Sequence, residues 1–161
     1  MKSMQQMPGA ARVWLYTASR FLNDQEVSSI LQETEVFLQG WSSHGANMDA
    51  ACGIYFNRIL AIAADEAQAK ASGCGIDKSV QFVKQLSESR NVEFFQRTTI
   101  LYQSNEALNE APLHTFWALR KALVVNDETL VVDTTISNVE QLHDSLLKPF
   151  RESWHAEMWG R

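Results

Sequence analysis

The chain has 161 residues, 45% of them hydrophobic and 20% charged, with 14 basic against 19 acidic side chains and a net charge of −5. That composition belongs to a globular protein long enough to bury a core, which excludes a largely disordered chain. The basic residues are scattered singly rather than gathered into a stripe, which argues against nucleic acid as a partner.

Residues 1–11 contain one lysine and no apolar run. They are expected to be a frayed start, with neither a secretion-signal core nor a membrane anchor, and no membrane insertion is expected. Arg12 to Thr17 (RVWLYT) is rich in β-branched, aromatic and other large apolar residues and reads as a first strand. Asn23 then opens a helix as N-cap, with Glu26 three residues on to close a capping box. Val27, Ile30, Leu31, Thr34, Phe37, Leu38 and Trp41 recur at helical spacing, and Gly40 marks the end. Trp41 to Gly45 (WSSHG) starts a loop expected to run to about Asp49.

Ala51 to Asp65 is too apolar for a surface loop and reads as a hairpin turning at Asn57-Arg58. Residues 65–71 carry polar side chains and alanines into Ala71 to Ser79 (ASGCGIDKS), where a thiol stands between two glycines ahead of a short helix. Asp77 is the expected cap, and Ile76, Val80, Val83 and Leu86 the buried face. Val92 to Phe95 and Thr98 to Tyr102 read as strands around Gln96-Arg97, followed by a polar linker over 103–110. Pro112 begins a helix that buries Leu113, Phe116, Trp117 and Leu123. Thr129 to Thr134 is another strand, and Ser137 with Glu140 offers a second capping box. Pro149 interrupts the final helical region and leaves Trp154, Met158 and Trp159 on an amphipathic turn. This order does not alternate regularly enough for a doubly wound parallel sheet. It predicts one α+β domain over 1–161, with a mixed or mainly antiparallel sheet covered by helices.

Chemistry concentrates in the glycine-bounded thiol. Residues 72–79 align loosely with the phosphate-loop pattern GxxxxGK[ST] and end in Lys78-Ser79, but Ser72 and Asp77 stand where both defining glycines belong. Asp77 would also set a negative charge beside a phosphate, so no working phosphate loop is expected. A second reading makes Cys74 a nucleophile and His44 its base, oriented by Asp65 or Asp77, with the amides around Gly73 and Gly75 stabilising an anion. The competing reading packs Cys74 as a small apolar residue under the helix start and lets His44 serve only the helix end. A ligand site on this chain would gather His44, Gly73, Cys74, Gly75, Asp77 and Arg97. His114, His143 and His155 have no partner at metal-ligand spacing, so no metal and no cofactor are expected. Cys52 and Cys74 are too few for a disulfide framework, which makes reduced thiols and a cytoplasmic location the expectation, with a bridge between the two left open. Trp154, His155, Met158 and Trp159 supply a further class, a helix that packs in the core, forms a homo-oligomer or meets a partner protein.

Three segments, Trp41 to Gly45, Ser72 to Ser79 (SGCGIDKS) and Phe94-Phe95-Gln96-Arg97, together resemble a family of small bacterial proteins of unknown function, some of which carry an automatic label of ABC transporter ATPase. The resemblance covers most of residues 12–104, with serine frequent in the family where Gly75 stands and aspartate where Gln96 stands. It implies a stand-alone domain and supplies no substrate. The transporter label does not carry over, since Lys78-Ser79 is all that remains of a Walker A loop and no signature motif follows. The sequence therefore predicts a ligand-binding or interaction domain, with cysteine-dependent hydrolysis or group transfer as the alternative and partner binding through the terminal helix as a third reading.

Overall fold

A computed structural model describes residues 2–160. It is an α+β fold with five helices and three antiparallel sheets among those residues. The chain forms two compact units, one holding the residues up to Gln96 together with Ser137–Glu140, the other Arg97–Ile136 and the residues from Gln141 onward.

In the first unit, strand β1 (Arg12–Thr17) and helix α1 (Asp24–Gln39) follow the sequence pattern. Asn23 accepts a bond from the Glu26 amide at 2.9 Å while the Glu26 carboxylate accepts one from the Asn23 amide at 2.9 Å, so two of the helix's orphan donors are satisfied. Arg20 pairs with the same carboxylate and, with that backbone bond, holds the Glu26 acid at about 2. A two-residue-per-strand hairpin follows, β2 (Ser42–Ser43) and β3 (Ala46–Asn47), in place of the expected loop. Its turn is His44-Gly45, both at positive φ.

Strands β4 (Asp49–Tyr55) and β5 (Ile59–Asp65) form the expected hairpin, but Phe56 and Asn57 make its turn, at φ 56° and 51°. Arg58 is drawn inward instead and is fully buried. Its Nε donates to the Ala18 carbonyl at 2.5 Å, and its guanidinium lies 4.8 Å from the Phe21 ring centre. The sheet order is β1-β5-β4, and the central strand is buried from Ile59 to Ala64, which is why its sequence runs apolar without alternation. Leu60, Ile62 and Ala64 point into a core shared with Ile30 and Leu38 of α1 and with Val83 and Leu86 of helix α2 (Gly73–Arg90). Each of the large aliphatic side chains buried there contributes on the order of 1.5–3 kcal/mol.

Three expectations for this unit are corrected. Among residues 2–11, expected to be frayed, Met4–Gln6 forms a single 3-10 turn, and Met4 and Met7 are buried. Helix α2 is longer than expected and starts earlier: Ser72 is the N-cap, and Asp77 sits exposed inside the helix. Val92 to Phe95 is not a strand, because only Phe95 makes a bridge, to Thr17. Its other backbone groups go elsewhere: the Glu93 carbonyl accepts from the Ser19 amide at 2.7 Å, and the Phe94 amide donates to Ser87 Oγ at 3.3 Å.

The second unit carries a sheet of order β7-β6-β8-β9, built from β6 (Thr99–Ser104), β7 (Ala107–Pro112), β8 (Leu130–Val132) and β9 (Leu147–Pro149). The expected polar linker is in fact half of the β6–β7 hairpin, whose turn residues Asn105 and Glu106 lie at φ 52° and 63°, the left-handed pair that a tight hairpin requires. Helix α3 (Leu113–Lys121) follows Pro112 as expected, and Phe116 is its buried anchor beside Tyr102, Val131 and Phe150. Leu123, expected in that core, is 76% exposed, because the chain has already left the helix in a left-handed turn. Helix α4 (Val139–Asp144), a 3-10 turn at Phe150–Glu152 and helix α5 (Trp154–Trp159) complete the chain. Among the described residues no helix is long and apolar enough to cross a membrane.

Candidate functional site

The start of α2 is fixed by the hairpin that precedes it in sequence. Ser72 Oγ accepts from the Gly75 amide at 3.0 Å as an N-cap, and the Ser72 amide donates to Ser43 Oγ at 3.0 Å. Ser43 Oγ in turn donates to the Lys70 carbonyl at 2.8 Å. Trp41, only 1% exposed, donates its indole Nε1–H to the Gly75 carbonyl at 2.8 Å. The Trp41 to Gly45 segment and the thiol-bearing turn therefore do meet, through Trp41 and Ser43. No described hydrogen bond or ring contact involves His44, which is exposed at the hairpin tip.

Of the residues singled out from sequence, Gly73, Cys74, Gly75 and Asp77 all lie in the first five residues of α2. Cys74 is exposed and free, so it is not the residue packed under the helix start; Gly75 is. A Cβ on Gly75 would stand 3.4 Å from Ser72 Oγ and 3.7 Å from both the Ser42 carbonyl oxygen and Ser43 Cβ. Asp65 closes β5, where its Oδ1 accepts from the Ala67 amide at 3.0 Å. Arg97 is exposed and opens the second unit. The other thiol, Cys52, is half-buried on β4, where burial, reinforced by the nearby Glu35 carboxylate, pushes it up to about 12. No disulfide joins the two cysteines. Among the described residues, no group of three histidine, cysteine or acidic side chains is arranged to hold a metal ion.

A groove that the sequence reading did not find lies between α1 and α2. It is an open cleft of about 380 Å³ lined by Gln32, Glu33, Val36, Phe37 and Phe82. Phe37 and Phe82 lie face to face, 4.4 Å between centroids and 4° between planes. Val36 is 64% exposed at its edge. Phe37 also contacts Trp41 at 6.1 Å, and Trp41 meets Trp14 edge-on at 5.9 Å, so a continuous run of rings leads from the groove to the indole that holds the α2 start. At the rim, Arg90 of α2 is ion-paired with Glu33 of α1. Phe37 falls on the α1 periodicity, but its stacking partner is on another helix 45 residues further on, and nothing in the sequence of either helix announces the pairing.

Among the described residues of the second unit, the buried polar ones are Asp133, Ser153 and His155. Asp133 pairs with Lys148 at 3.0 Å and accepts from the amide and hydroxyl of Thr135, which together hold its carboxyl below the ordinary aspartate value although burial acts the other way. His155 is pushed down to about 4 by burial. Its near-complete burial follows from the rings of Phe116 and Trp154 beside it. Comparison with known proteins returns no matching family model, no matching curated protein and no matching solved structure.

Proposed function

We propose that this protein is a non-catalytic binding protein, and that the cleft between α1 and α2 takes a small ligand with a flat apolar face. The observation that carries this reading is the stacked Phe37–Phe82 pair lining an open groove, with Val36 left exposed beside it. The cleft volume falls within the roughly 300–1,000 Å³ of small-molecule sites, which are mostly apolar with a few polar groups that fix orientation. Gln32 supplies an amide for that purpose, while the Glu33 carboxylate is already engaged by Arg90. The two free thiols support placing the protein in the cytoplasm, and the likeness of residues 12–104 to small bacterial proteins of unknown function fits such a stand-alone role. Cysteine chemistry is not part of this reading, because the contacts that fix the Cys74 turn run through Trp41 and Ser43 rather than through a base.

The test is a fluorescence titration with the neutral probe N-phenyl-1-naphthylamine. Val36→Glu, at an exposed position that leaves the core intact, should weaken binding at least about tenfold by setting a desolvated carboxylate against the probe, while Val36→Leu should retain it. Equal affinity for the native protein and Val36→Glu would remove the groove as the site.

A further inference from the structure

Helix α5 is only six residues long, Trp154–Trp159, too short to be stable in water without packing. Its start carries no side-chain cap. Ser153 Oγ donates instead to the Phe150 carbonyl at 2.8 Å and meets His155 Nδ1 at 3.2 Å. Because the hydroxyl proton is spent on Phe150, Ser153 serves the imidazole as an acceptor, which assigns the neutral ring's proton to Nδ1. His155 is 2% exposed, with its ring stacked on Trp154 at 4.0 Å and 5.9 Å from Phe116. Trp154 Nε1 is buried with no acceptor among the described residues. Opening α5 would give that donor to water, so the docked helix holds one polar group against its preference.

We propose that α5 is a clasp released by acid, opened when His155 takes up a second proton. The charged groups on the surrounding elements do little to shelter an imidazolium. Asp133, beyond β8, is the attractive one, but Lys148 of β9 already neutralises it. Arg120 of α3, held 4.5 Å over the Phe150 ring and 5.9 Å from the Trp159 ring, is itself ion-paired with Asp127 and so supplies no counter-charge to an imidazolium. Arg151 in the preceding turn pairs with its neighbour Glu152 and with Glu128, and Glu157 is exposed on α5. The sign follows from burial. The docked histidine has its value lowered from 6.5 to about 4, so the docked form binds fewer protons than the open one between those limits. The contribution of His155 to docking is complete above about pH 6.5 and is lost as the pH falls toward about 4. At tenfold per pH unit, acid shifts the equilibrium toward the open form by up to about 300-fold.

The experiment is two-dimensional NMR of the full chain between pH 7 and pH 4, following the Trp154 indole Nε1–H, the amides of 154–159 and the imidazole of His155, with the amides of 100–102 in β6 as the internal reference. The proposal expects the indole and α5 signals to move to solvent-exposed positions with the same midpoint as the imidazole while the β6 amides stay unchanged. His155→Gln should abolish that midpoint. If it fails to fold, the coincidence of imidazole and indole titrations in the native chain still decides the matter. An α5 that stays docked until β6 also unfolds, or that opens at an unchanged pH in His155→Gln, would overturn the proposal. Neither result bears on the α1–α2 groove.

Discussion

Substituting Gly75 by alanine separates two accounts of the Ser72 to Ser79 segment. If Gly75 is there for an unusual backbone or for close packing against the β2–β3 hairpin, adding a methyl group should damage the fold. If the segment is the ordinary first turn of α2, as the Ser72 cap and the helical span from Gly73 indicate, the methyl group should help. Gly75 is not among the residues at positive φ, so no backbone strain opposes alanine. The nearest atom to the new Cβ is Ser72 Oγ at 3.4 Å, at the tight edge of ordinary contact, and the Ser42 carbonyl oxygen and Ser43 Cβ lie at 3.7 Å. Alanine reduces the freedom of the unfolded chain and improves helix propensity, which together stabilise compatible sites by about 0.4–1 kcal/mol. For a chain of this length that is about 1–4 °C in Tm. Urea unfolding followed by circular dichroism at 222 nm checks it. Destabilisation by about 1 kcal/mol or more would show that the helix start cannot accept a side chain, and the reading of Gly75 as a plain helical residue would fall.

Trp41→Phe should destabilise the first unit by about 1–3 kcal/mol, because it removes the buried bond from the indole to the Gly75 carbonyl as well as ring area, and urea unfolding against the native chain measures it. Leu123→Gly should stabilise the second unit by about 1 kcal/mol, since a leucine at φ 60° and 76% exposure occupies a left-handed helix end that glycine adopts without strain; a thermal melt showing loss of stability would contradict it. Alkylation of folded protein at about pH 8, read by mass spectrometry, should label exposed Cys74 and spare Cys52. The Cys52 thiol at about 12 leaves on the order of one part in ten thousand as thiolate at that pH. Labelling of Cys52 at the rate of Cys74 would show that β4 does not bury it.

What could be read from the sequence was governed by local rules. The β1 run and the Asn23–Glu26 capping box are local signals, and both elements appear with the expected residues. The start of α2 was misplaced because two glycines in a first helical turn run against propensity, and the contacts that override it, from Trp41 and Ser43, come from about 30 residues earlier. Val92 to Phe95 has strand composition, yet its backbone groups are satisfied by Ser19 and Ser87, so composition alone misled. Residues 103–110 looked like a linker because β7 is an edge strand with polar side chains, and its hairpin turn uses Asn105-Glu106 rather than a glycine. The groove was invisible for a different reason. It exists only where two helices far apart in sequence lie side by side, and a stacked pair of rings leaves no mark in the periodicity of either.

The claim that the α1–α2 cleft is the binding site is tested most directly by mapping amide chemical shifts as N-phenyl-1-naphthylamine is added to the native chain. The account predicts saturable changes centred on Gln32, Glu33, Val36, Phe37 and Phe82, with His44 and Gly73 to Asp77 left in place. Changes centred on His44 and the Cys74 turn, with the cleft unaffected, would contradict it.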